Sequence, residues 1–226
     1  MTYDTGNGDY ITDCTVLHWK IPSLNSGEYT IKPLHKQKIR VFCEMKKDGG
    51  GWTVFQRRMD GSVDFERTWR EYRHGFGNLS TEFWLGNKYL YNILRQGNYE
   101  LRMDMRDFEG NSTFVQYKSV SIGDGSSKYR MNISGYFGNT GDCLTARNTI
   151  HDMMFSTWDQ DNDNHYKNCA AAYKGGWWYN HCHASNPNGL YLHGENDQFA
   201  QGITCSAWRG QHYSLKGIEI MVRRRK

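Results

Sequence analysis

The sequence predicts an α+β domain: a small N-terminal lobe, a central antiparallel sheet with short helices, and a loop-rich C-terminal lobe for binding. Three observations carry this. Residues 98–106, 113–120 and 128–137 alternate apolar and polar side chains, the period of half-buried strands. Phe65, Trp69 and Tyr72 recur at helical intervals. After Gly141-Asp-Cys143 the periodicity fades, and residues 142–212 are dominated by Asn, Asp, Gly, His and aromatics. Irregular stretches this long are functional or disordered, and so many Trp, Tyr and Cys residues argue for packing rather than disorder.

Taken in order, residues 1–12 are a polar lead-in, and the domain runs over 13–226 with sub-lobes of about 13–48, 49–141 and 142–226. From Asp13 to Met45 the text is strand-like, with Tyr29-Thr-Ile31 and Ile39-Arg-Val-Phe-Cys43 alternating; a Cys14–Cys43 bridge would close this lobe. Gly49-Gly-Gly51 reads as a turn before a buried strand, and Asp60-Gly61 as the turn after it. Residues 64–73 form a helix with Phe65, Trp69 and Tyr72 as its core stripe, and a second short helix spans 88–95. A last strand, Tyr213–Val222, returns to the central sheet. The basic end, Arg223-Arg-Arg-Lys226, reads as a solvated terminus.

Bulk properties limit the function classes. A sequence of 226 residues with 15% aromatics suffices to bury a large core. Mean hydropathy is −0.81, and no apolar run approaches the ~18 residues of a membrane span. No apolar leader follows Met1, so a signal peptide is expected to be cut off or outside this sequence. Six cysteines and the sequons at Asn78, Asn111 and Asn132 point to secretion. The net charge of +4 is largely the C-terminal run, and no nucleic-acid module accompanies it.

The functional stretch is 156–189. Asp159, Asp161 and Asp163 place hard oxygen ligands together, which suits Ca²⁺. An EF-hand fails in both registers, because Asn164 or Tyr166 stands where Gly is needed and Ala170 or Ala172 where Glu is needed. Cys169 and Cys182 enclose a length suited to a disulfide loop. Zinc held by these cysteines with His165, His181 or His183 is the rival, but the usual ligand spacings are missing. Cys182-His183 is a poor catalytic dyad, since sequence neighbours rarely face each other, and no nucleophile elbow occurs. An enzyme is not expected.

The sequence resembles the fibrinogen C-terminal-like domain family, the globular heads of fibrinogen chains, ficolins and tachylectins. The resemblance rests on Gly49–Phe65, Glu82-Phe-Trp-Leu-Gly-Asn87, Tyr99-Glu-Leu-Arg102, Phe155–Asp163, Asn168-Cys-Ala170, Gly176-Trp-Trp-Tyr179, Cys182-His183 and Tyr213-Ser-Leu-Lys216. It implies Ca²⁺ on the side chains of Asp161 and Asp163 and the carbonyls of His165 and Lys167. It implies bridges Cys14–Cys43 and Cys169–Cys182, and a cis peptide at His181–Cys182. It also implies an acetyl pocket from Tyr173, His181, Cys182, His183, Phe199 and Ala200, with Gln211 where some members place an aromatic. Cys143 and Cys205 depart from the family pattern; as the two left over, they are expected to form a third bridge.

The function so implied is a secreted calcium-dependent lectin for N-acetyl groups on microbial or host glycans, of the innate-immunity type. The alternative is a polymerisation or receptor-binding head without lectin activity. The fibrinogen subunit that captures a cationic knob carries acids where Tyr173 and Ala200 stand here, so an ammonium would lose its partner in this pocket. One acetyl pocket binds at about millimolar strength. The native protein is therefore expected to be a homo-oligomer through regions outside this sequence.

Overall fold

The computed structural model describes residues 10–35 and 37–225, so residues 1–9 of the lead-in lie outside the described residues. Packing begins at Ile11, which is buried and accepts the Lys32 N–H at 2.7 Å. The first element is a helix, α1 (Cys14–Lys20), where the sequence reads as strand. Asp13 starts it by accepting the Val16 N–H, and Cys14 and Leu17 face the core. Strands β1 (Gly27–Ile31), β2 (Ile39–Glu44) and β3 (Trp52–Arg58) follow. Since β2 pairs with β3, the N-terminal lobe is continuous with the main sheet.

The helix expected over 64–73 is shorter, α2 (Trp69–His74). Thr68 and Glu71 form a reciprocal capping box at its start, which excludes Asp64–Arg67 from the helix. Then come β4 (Phe76–Gly77), β5 (Phe83–Trp84), α3 (Asn87–Leu94), β6 (Tyr99–Arg106), β7 (Ser112–Ile122) and β8 (Met131–Gly138). The C-terminal part adds α4 (Cys169–Tyr173) and the two-residue strands β9 (Ser185–Asn186), β10 (Gly194–Glu195), β11 (Thr204–Cys205) and β12 (Tyr213–Ser214). The last element is β13 (Gly217–Arg224).

These strands make a nine-stranded sheet of order β1-β2-β3-β13-β6-β7-β8, with β5 also pairing β3 and β4 pairing β5. The last strand therefore lies in the middle, antiparallel to both β3 and β6. The single strand expected over Tyr213–Val222 is in fact two. Tyr213–Ser214 pairs with β10 in the C-terminal part, and the backbone turns at Leu215 and Lys216, whose N–H groups bond Ile203 and Arg106 carbonyls, before β13 begins.

Nor do Arg223 and Arg224 belong to a solvated tail, while Lys226 of the same run lies outside the described residues. Arg223 bonds Glu100 at 2.8 Å and lies over Trp52 at 4.1 Å, while Arg224 meets the buried Asp13 at 2.8 Å. Because β13 is central, its end is held on both sides. Three disulfides, Cys14–Cys43, Cys143–Cys205 and Cys169–Cys182, use all six cysteines.

An aromatic cluster joins the sheet to the C-terminal lobe: Tyr72, Trp84, Phe155, Trp177 and Trp178 are buried with ring centroids 4.9–6.5 Å apart along its contacts. The Tyr72 hydroxyl donates to Phe65 O at 2.7 Å and accepts the Gly176 N–H at 3.0 Å. A Cβ at Gly176 would meet the Tyr72 ring at 2.6 Å, which explains the glycine before Trp177.

Candidate functional site

The site is built on loops braced by this aromatic floor. Its acids divide by role. Asp159 accepts the Trp69 N–H at 2.8 Å and the Thr157 hydroxyl at 2.7 Å, so it anchors the start of α2. Asp161 and Asp163 face a different turn. The two oxygens of Asp163 accept the His165 N–H at 2.8 Å and the Cys169 N–H at 2.9 Å, and Asp161 accepts the Asp163 N–H at 3.2 Å. Burial, together with the neighbouring Asp161 charge, raises the Asp163 carboxyl above the usual carboxylate range. A cation beside the pair would reverse that shift.

This donor set fits calcium. It offers two carboxylates within three residues, followed in the same turn by the main-chain oxygens of His165 and Lys167, all hard donors. It does not fit zinc. Ligand atoms of His165, Cys169 and Cys182 do lie within 4.8 Å of one another. The two sulfurs are covalently joined, however, so no thiolate is present to bind a soft ion.

Asn168 closes the turn: its side-chain oxygen caps α4 through the Ala171 N–H at 2.9 Å, and its amide donates to the Thr157 and Trp158 carbonyls at 3.1 Å. Helix α4 delivers Cys169 to the ring disulfide and Tyr173 to the pocket beside it.

The His181–Cys182 peptide, expected to be cis, is trans. The backbone bends instead through Cys182 itself, which adopts φ 61, and the Asn180 N–H bonds Cys182 O at 2.9 Å. A left-handed cysteine is uncommon; here the ring disulfide holds it.

Beyond that bend lies a cavity of about 550 Å³ lined by Tyr173, His181, Cys182, His183, Phe199, Ala200 and Gln211, all named from the sequence. Arg147, Asn148, Ala184 and Ser206 also line it, and sequence reasoning missed them. His183 is 6% exposed, its ring edge-on to Tyr173 at 4.6 Å and both ring nitrogens shielded from solvent. Burial pulls its pKa down to about 3, only partly offset by the Ala200 backbone, so the imidazole is neutral at physiological pH. The Oε1 of Gln211 is likewise buried without a partner. Phe199 is 57% exposed at the mouth, beside His212.

Asn186 ties the walls together, donating to Tyr173 O at 2.9 Å and Ala200 O at 3.4 Å, while its own oxygen accepts the buried Tyr179 hydroxyl at 3.0 Å. The turn-forming text Asn186-Pro-Asn-Gly189 is its sequence signal. The sequon residues Asn78, Asn111 and Asn132 are exposed and away from this cavity's lining.

Known proteins share this architecture. Residues 11–225 match the family described as the C-terminal globular domain of fibrinogen beta and gamma chains. Fibrinogen-like protein 1 of Mus musculus is 43% identical over 235 aligned residues, spanning 97% of this chain and 74% of the mouse protein. The fibrinogen-like globe domain of human ANGPTL2 superposes with a TM-score of 0.91 at 38% identity, covering 96% of this chain and all of that one. Lamprey fibrin D-dimer, in complex with the peptide Gly-His-Arg-Pro-amide, superposes at 0.88 with 35% identity over 98% of this chain and 77% of that one.

Proposed function

Because the protein belongs to the family of C-terminal globular domains of fibrinogen beta and gamma chains, we propose that it is an extracellular head that binds a protein partner, without catalysis and without need of a sugar. The observation that supports this reading is the likeness, over essentially the whole domain, to fibrinogen-like protein 1 and the ANGPTL2 globe domain. Three disulfides and exposed sequons agree with an oxidising compartment. No helix among the described residues is long and apolar enough to cross a membrane.

Calcium on Asp161, Asp163 and the His165 and Lys167 carbonyls stiffens the binding lobe in this reading. The test is binding of the labelled protein to intact cells. Saturable binding that protease treatment of the cells removes, and free N-acetylglucosamine does not, is the expected result. Complete displacement by that sugar would overturn it.

A second reading, a calcium-dependent lectin for N-acetyl groups, is favoured by one feature of the pocket. Its lining contains no Asp or Glu, and the buried His183 is neutral. A cationic peptide end would be stranded there, whereas a methyl fits between Tyr173, Phe199 and Ala200 while a main-chain N–H of Cys182 or His183 meets the acyl oxygen. Such a pocket binds at about millimolar strength, so in this reading several heads act together through regions outside this sequence, raising avidity ~10²–10⁴-fold. A glycan array read with and without EDTA tests it.

A further inference from the structure

The central sheet ends on β8, which pairs with β7 and has no strand on its other side. Residues 151–153 cover only its start. Met131 donates to Met153 O at 2.9 Å and accepts the Asp152 N–H at 2.7 Å, and the Ile133 N–H meets His151 Nδ1 at 3.2 Å. From Ser134 to Gly138 no backbone group bonds anything beyond β7 among the described residues. Those five residues are all exposed, Tyr136 by 37% and Phe137 by 41%. Residues 131–138 contain neither a charge nor a proline, two of the devices that keep a free edge from pairing with another chain.

The same strand carries the sequon Asn132-Ile-Ser134. Met131 and Ile133 are buried, which turns Asn132 outward, where it is exposed opposite the exposed Ser121. Ser119, also exposed, stands opposite Ser134. Small side chains thus surround Asn132 and leave room for a bulky substituent. The other two sequons have side chains that the fold uses. Asn78 Oδ1 accepts the Ser80 N–H and hydroxyl at 3.0 and 2.8 Å, and Asn111 Nδ2 donates to the buried Asp107 at 2.8 Å. The Asn132 side chain makes no hydrogen bond among the described residues.

We infer that Asn132 carries an N-linked oligosaccharide, and that this sugar covers the free edge of β8 and keeps two heads from pairing along it. The inference rests on the extracellular reading above, because the sugar donor belongs to the secretory route. In the transfer, Asn132 Nδ2 bonds C1 of N-acetylglucosamine and releases one proton. The bond from C1 to the diphosphate of a lipid-linked oligosaccharide breaks, and the diphosphate leaves with the electron pair. Phe137 lies about 17 Å along the strand from Asn132, within the span of a branched oligosaccharide. A hydrated, bulky sugar at that distance opposes the approach of a second strand.

The experiment secretes the whole chain from cultured mammalian cells, maps its glycopeptides by mass spectrometry, and follows self-association by sedimentation velocity over a concentration series. Asn132 should be occupied. Asn132→Gln and Ser134→Ala, which remove the sequon at different residues, should associate at about tenfold lower concentration than the parent protein, a shift of ~1.4 kcal/mol. Ser134→Thr keeps the sequon and should behave as the parent. Adding Phe137→Lys to Asn132→Gln should restore the parent behaviour, since a charge then guards the edge in the sugar's place. Thermal unfolding of each variant separates edge pairing from loss of the fold. An unmodified Asn132, sequon-free variants no more associated than the parent, or association that Phe137→Lys leaves intact would each overturn the inference. The extracellular reading would be untouched by these results and is decided by the cell-binding test.

Discussion

Replacing Glu82 by glutamine removes a charge from the point where the central sheet meets the turn at Asp60-Gly61. Glu82 is fully buried. One carboxylate oxygen accepts the N–H groups of Met59, Asp60 and Gly61 at 2.7, 3.1 and 3.0 Å, and the other accepts that of Val63 at 3.1 Å. Arg58, 2% exposed, lies 3.6 Å away and donates to Gly189 O at 2.7 Å, which ties the sheet to the segment behind the pocket. Glutamine leaves Arg58 with no counter-charge and turns an amide NH₂ toward one of the backbone donors.

Breaking a buried pair from one side costs ~3–5 kcal/mol. In a domain of this size each kcal/mol moves the melting temperature by ~2–4 °C, so a drop of about 6–20 °C is expected. Thermal unfolding at pH 7 with disulfides intact, followed by circular dichroism, measures it. The double variant Glu82→Gln/Arg58→Met should lose less than the sum of the single variants, because the stranded cation is gone. A drop below about 3 °C for Glu82→Gln, or strictly additive losses, would refute the reasoning.

Three further outcomes are expected. His183 has a folded pKa of about 3, below the ~6.5 of the unfolded state, so between these values the unfolded state holds a proton the folded state lacks; stability is complete above ~6.5 and declines by about 1.4 kcal/mol per unit as pH falls. Tyr173 and Tyr179 pack on the ring while Arg147 and His181 share its cavity, so His183→Phe should flatten the slope between pH 6.5 and 5 in urea titrations, and an unaltered slope would assign it elsewhere. Calcium at a hundred times its Kd should stabilise the protein by ~2.7 kcal/mol over EDTA, and Asp163→Asn should abolish most of that difference in calorimetry. Replacing Cys143 and Cys205 together by serine opens a loop of sequence separation 62 and should cost about 4 kcal/mol in the chain-entropy model, measured by urea unfolding.

The elements legible from sequence are those set by neighbours along the backbone. Strands β6 and β7 follow from alternation, and β3 follows from a buried run between two glycine turns. Helix α1 has its own signals, the Asp13 cap and the Cys14–Leu17 spacing, but it is short and the strand-like text after it outweighs them. Phe65 matches the helical period, yet the Thr68 cap decides where α2 begins. Most pocket residues are legible only because the family resemblance assigns them; a lone Tyr or Phe does not announce a cavity.

By itself, then, the sequence determined periodicity, turn chemistry and the supply of ligand atoms, since those depend on residues a few positions apart. Tertiary structure alone decided that the final strand inserts at the sheet's centre, that Asp159 braces a helix while Asp161 and Asp163 accept backbone N–H groups of a separate turn, and that Cys182 bends with a trans peptide. It also decided that Arg147, exposed, and His183, buried and neutral, line one cavity. Whether a charge finds a partner, and whether water reaches it, depends on segments distant in the sequence folding against each other.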